Sequence, residues 1–251
     1  MIPQATTIDE VIQLLQEIIQ QSITEKSTKG YFAVLYLKVT QKVKEGIQNG
    51  TFENGPRMEK LDVIFANRYI KAYYQYQTQQ PTSKSWEAAF VEADNYWIIV
   101  LQHLLLGMNA HINLDLGIAA AQISPKDEIH SLQNDFNTIN TILSSLVADV
   151  EKDLTEVWPI LKWILEKTKS IDTFLIDFSM QKAREGAWKY ALELAPLEGN
   201  KAEESITIRD EKVAQKAKLI TNLGGIPFFL FKIMRLFEVG TVDQKIKDLQ
   251  N

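Results

Sequence analysis

The chain has 251 residues, a formal net charge of −5 and a hydrophobic content of 45 %. That composition supplies a sizeable core and is not that of a disordered chain, and an acidic balance argues against nucleic-acid binding, which calls for a basic field. With no cysteine, disulfides, thiolate zinc sites and cysteine nucleophiles are excluded.

The periodicity is helical almost throughout. Thr7-Ile8-Asp9-Glu10 reads as a capping box that opens a helix over 8–22. A second helix spans 30–48 and stops at Asn49-Gly50. Pro56 suits the first turn of a third, through Gln77. A short fourth covers 83–93 and a long fifth covers 96–122. Ser124-Pro125 opens a sixth that extends to Leu154, and Trp158-Pro159 marks a break. Further helices fit 160–167, 171–194, 202–222 and 227–239. Period-two alternation is not sustained anywhere. These elements predict an all-α, single-domain bundle of about eight to ten mostly antiparallel helices over 1–251, with 196–201 the one candidate boundary.

The start MIPQATTIDE lacks the basic and apolar regions of a signal peptide, and the apolar run 225–231 is too short for a membrane span. A cytoplasmic protein without a membrane span is the expectation. The segment 226–237 is apolar all round and reads as a buried C-terminal helix.

The stretch HLLLGMNAHINLDLG, 103–117, holds two of the three histidines in an otherwise apolar helix. Placing residues at about 100° per position pairs His111 with Asp115 on one face and Asn109 with Asn113 on the other. Gly107 lies with the first pair, where a neighbouring helix or a ligand needs to approach closely. Asp62, Asp135 and Asp177 project from three other helices among apolar residues. Arg68 and Arg184 are their natural cationic partners, and Trp188 shares a face with Arg184.

Two readings stay open. In one, Asp62, His111, Asp115 and Asp135 line a pocket, with His111, Asp115 and Asp62 as catalytic groups. Asn109, Asn113, Arg68, Asp135, Asp177, Arg184 and Trp188 are then binding residues for a small molecule. His111, Asp115 and Asp62 are also competent ligands for a divalent metal ion such as magnesium, manganese or iron. In the other, the inward polar groups form a structural network in a non-catalytic scaffold or interaction protein. Substrate, oligomeric state and the role of 203–251 are not legible.

The segments YLKVT (36–40), MEKLDVIFA (58–66), GMNAHIN (107–113) with Asp115-Leu116, Ala183-Arg184 and Ala187-Trp188 resemble a bacterial protein family of unknown function. The resemblance runs over about 30–195, and the GMNAHIN string is its most specific part. It implies no activity. It singles out Asp62, Asn109, His111, Asn113, Asp115, Arg184 and Trp188.

Overall fold

The structure is a computed structural model that describes residues 2–140, 142–143, 180–222 and 226–250. All regular elements among them are helical. The expected helix 160–167, the break at Trp158-Pro159, the sixth helix beyond 143 and Asp177 lie outside the described residues.

Helix α1 (Ile8–Glu25) opens on Thr7, whose hydroxyl accepts from Glu10 N at 3.2 Å. The Glu10 carboxylate reaches back to Thr6 N and Thr6 Oγ1 rather than to the cap itself. Helix α2 (Gly30–Gln48) and helix α3 (Gly55–Gln77) follow. Asn54 caps α3, accepting from Arg57 N at 3.0 Å, and Pro56 sits in the first turn. Helix α4 (Lys84–Phe90) is short and gives way to a 3₁₀ turn at Val91–Asp94.

Helix α5 (Val100–Ile123) starts four residues later than the sequence predicts, because the chain through Asn95–Ile99 leaves helical geometry after the 3₁₀ turn. It is not a uniform α-helix: His111–Leu116 form a π turn. Such widened turns concentrate at functional sites, and this one carries both His111 and Asp115. The helix is long and apolar enough to cross a bilayer, yet 94 % of its most apolar window is buried in the fold.

After Ser124-Pro125 the chain forms a 3₁₀ helix, Lys126–Leu132, before the α-helix resumes as α6 (133–140). Then come α7 (Met180–Leu194), α8 (Asn200–Thr221) and α9 (Ile226–Phe237). A last helix, α10 (Val242–Gln250), was not expected. Its capping signal is nonetheless present, because Thr241 N donates to Gln244 Oε1 at 2.8 Å. Helix α9 departs from the expected burial: Phe231 and Met234 are buried, while Phe229 is 65 % exposed and Leu236 and Phe237 also face outward.

Helix α5 is the centre of the packing. Its first half meets α2, α4 and α8, and its second half meets α3 and α7. The start of α5 is held by the residue that follows α9, since Val100 N donates to Glu238 Oε1 at 2.8 Å. Gly107 is where α2 crosses: a Cβ there would lie 2.4 Å from the Phe32 ring. Two hydrophobic clusters result, one around α1–α4 and the first half of α5, the other around the second half of α5 with α6, α7 and α8. Val39, Phe65 and Met108 pack against both.

Candidate functional site

At that junction Asp115 is the best-connected polar group. Arg68 Nε donates to its Oδ1 at 2.7 Å, and Trp86 Nε1 donates to its Oδ2 at 2.7 Å. The second oxygen also stands 3.5 Å from His111 Nδ1. Carboxylate, guanidinium, indole and imidazole thus join α3, α4 and α5. Burial works to raise the Asp115 carboxyl, but Arg68, with His111 and Trp86, outweighs it and holds the group below the usual carboxylate range.

His111 is only 3 % exposed. Its ring stacks on Phe65 with centroids 3.5 Å apart and planes 8° apart, and Tyr36 meets it edge-on at 4.3 Å. Burial lowers its pKa, with Asp115 opposing and Arg68 assisting, so the ring is neutral at pH 7. A neutral ring that gives its Nδ1 proton to Asp115 presents an unprotonated Nε2. That atom is buried and has no hydrogen-bond partner among the described residues.

Other buried polar atoms share this condition. Tyr36 Oη and Thr40 Oγ1 from α2, and Asp62 Oδ2 and Tyr69 Oη from α3, have no partner within the described residues. Each such atom costs about 1–3 kcal/mol when left dry. Burial, helped by Glu59, pushes the Asp62 carboxyl up to about 7. Burial likewise carries the Tyr36 and Tyr69 hydroxyls well above the ordinary phenol range.

Tyr36, Asp62 and His111 line one cavity of about 70 Å³ between α2, α3, α5 and α7, with Arg184 at its wall. The remaining lining is apolar, including Phe32, Val43, Phe65, Met108 and Ile112. On the far side of the Asp115 carboxylate a shallower, more polar cleft of about 350 Å³ is lined by Arg68, Lys71, Gln75, Trp86 and Gln122.

The sequence-predicted residues therefore divide. His111, Asp62 and Arg184 come together on the cavity, and Asp115 and Arg68 stand directly behind it. Asp135 does not join them. Its two oxygens accept from Glu53 N at 2.7 Å and from Asn54 N at 3.1 Å, and Arg57 Nη2 adds a third bond at 3.0 Å. Those amides lie at the start of α3, where a carboxylate complements the free N–H groups and the helix dipole.

Asn109 and Asn113 pair with each other at 3.1 Å, as their spacing predicts. They serve α8: Asn109 Nδ2 donates to Val213 O, and Asn113 O accepts from Arg209 Nε. Trp188 packs on Phe136 at 4.8 Å between ring centroids and does not line the cavity. Arg184 pairs with neutral acceptors, Asn140 Oδ1 and Phe136 O, both at 2.6 Å.

The expected metal set does not assemble. Among the described residues no group of three His, Asp or Glu side chains is placed to hold a metal ion. The physical reason is that Arg68 and Trp86 already satisfy both Asp115 oxygens, and Arg68 neutralises its charge.

Trp86, Tyr36, Thr40 and Phe65 are not among the site residues that the sequence predicts. Only contact with a carboxylate distant in sequence reveals the role of the Trp86 indole N–H. Tyr36 and Thr40 carried a usable signal, two hydroxyls one turn apart on an apolar helix within YLKVT.

No curated protein and no solved structure matches the chain. A family model does, over residues 8–223, and the chain belongs to that family, a family of unknown function (DUF5995).

Proposed function

We propose that this protein binds a small molecule in the cavity between α2, α3, α5 and α7, with His111 Nε2 as the hydrogen-bond acceptor or general base toward it. One observation carries the reading: Tyr36, Asp62 and His111, from three different helices, each have a buried polar atom without a partner among the described residues and line the same apolar cavity. A purely structural network satisfies its members. Among the described residues this one satisfies both Asp115 oxygens and leaves polar atoms of His111, Asp62 and Tyr36 without partners. Ligand sites have that make-up, mostly apolar walls with a few convergent polar groups.

The acid–base equipment is also in place. Asp115 orients the ring and favours a proton on Nδ1, so Nε2 can accept one. Asp62 titrates near neutrality and can exchange another. The long 3.5 Å contact between His111 and Asp115 is one that shortens when the ring becomes charged. We take the cytoplasm as the site of action, supported by the burial of the longest apolar helix inside the fold.

The structural alternative draws on Asp115, whose bonds to Arg68 and Trp86 clamp α3 and α4 to α5. A fragment library screened by thermal shift against wild type and His111→Ala separates the two. Binding at the cavity predicts fragments that stabilise wild type and lose their effect in the variant. A library without a single His111-dependent hit, beside a variant that melts far lower, assigns the residues to the scaffold.

A further inference from the structure

Among the described residues that line the cavity, Arg184 is the permanently charged one. It is 5 % exposed, and burial lowers its pKa only to about 10, so it stays a cation at neutral pH. Its partners among the described residues are an amide oxygen, a backbone carbonyl and the face of the Phe136 ring, 4.5 Å away. None of these is an anion. Among the described residues no carboxylate pairs with this buried cation, so none of them supplies the counter-charge that its desolvation calls for.

We infer that the ligand is a short-chain carboxylic acid, bound as its anion at Arg184 with its apolar body in the cavity. This rests on the preceding reading that the cavity takes a small molecule. The guanidinium fork suits a planar carboxylate, and the walls between Arg184 and His111 suit a hydrocarbon. Size sets the length. By the measure in which one water needs roughly 10–15 Å³, a cavity of about 70 Å³ holds roughly five to seven non-hydrogen atoms. Pentanoate is of that size.

Asp62 is the group that could oppose an anion. Glu59 on its own helix and Tyr36 from α2 act on it electrostatically, and His111 from α5 and Arg184 from α7 share the cavity lining with it. With its pKa near 7 it takes up a proton as the anion arrives. Binding therefore tightens below pH 7 and weakens above it.

The test is a titration of ¹³C-methyl-methionine protein with pentanoate, pentan-1-ol and pentylamine at pH 6.5 and 8. Met58, Met108 and Met180 line the cavity, while Met234 is buried away from it. Pentanoate is expected to move the first three resonances and not the fourth. Its dissociation constant should be at least tenfold below that of the alcohol, and lower at pH 6.5 than at pH 8. Arg184→Met should bring pentanoate to the level of the alcohol. If that variant fails to fold, the wild-type series decides by itself. An alcohol or amine that equals pentanoate overturns the carboxylate assignment and leaves the cavity reading standing. Silence from pentanoate also overturns the assignment, whereas the cavity reading falls only with the His111-dependent fragment screen.

Discussion

Arg68 and Asp115 meet at 2.7 Å across α3 and α5, and they share the contact unequally: the Arg68 side chain is 30 % exposed and the Asp115 side chain 1 %. The arginine can leave for water, but the carboxylate cannot. Arg68→Leu should therefore destabilise the fold by about 1–3 kcal/mol at pH 7, a range kept low because the arginine is solvent-screened. Asp115 has a lowered folded pKa, so this stability is present at neutral pH and is lost as pH falls through that value. The penalty of Arg68→Leu should thus shrink toward pH 3. Urea melts at both pH values measure it, and an equal penalty at both would show that the pair is not an electrostatic one.

Gly107 and Phe32 make a steric prediction. An alanine Cβ at 107 would lie 2.4 Å from two ring carbons, much closer than any contact allows. Alanine gains about 1 kcal/mol of helix propensity over glycine, while overpacking costs typically 1–3 kcal/mol. Gly107→Ala should be net destabilising, and adding Phe32→Leu should recover part of the loss. A double-mutant cycle by thermal melts reads the coupling. Because Phe32 also lines the cavity, ligand binding in the double variant should weaken even where stability returns.

Asp135 should behave as a cap rather than as a site residue. Asp135→Ala removes two bonds from the start of α3 and leaves Arg57 without its carboxylate. We expect a loss of about 2–4 kcal/mol with no change in the cavity methionine resonances of the folded fraction. A selective shift of Met108 without loss of stability would return Asp135 to the site.

Facing arithmetic made part of this site legible and not the rest. Spacing within one helix is fixed by backbone geometry, so the His111–Asp115 and Asn109–Asn113 pairs both form as predicted. The close approach at Gly107 was legible for the same reason, since a helical glycine among leucines marks a crossing. Which helices stand opposite is a tertiary fact. Asp135 faces inward as its pattern says, but what it faces is the first turn of α3. Arg68 meets Asp115, and Arg184 meets Asn140 and a carbonyl, although both were equally plausible partners for any inward aspartate. The π turn could not be read either, because a helix that widens by one residue leaves the apolar pattern on both sides intact.

Asp62 yields the clearest dependence on pH. Its carboxyl is raised from 3.8 to about 7 in the fold, so the folded chain holds this proton where the unfolded chain has released it. Between those values the native state binds more protons, and stability falls as pH rises. The full span corresponds to a penalty on the order of 4 kcal/mol above pH 7 relative to pH below 4. Asp62→Asn keeps the shape and removes the titration. The variant should match wild type near pH 4 and melt at a clearly higher temperature at pH 8, so that the difference between the two grows steadily across that interval. A difference that stays flat with pH would mean that Asp62 ionises in the fold as it does in water. The same variant bears on function: asparagine should abolish the gain in pentanoate affinity between pH 8 and 6.5.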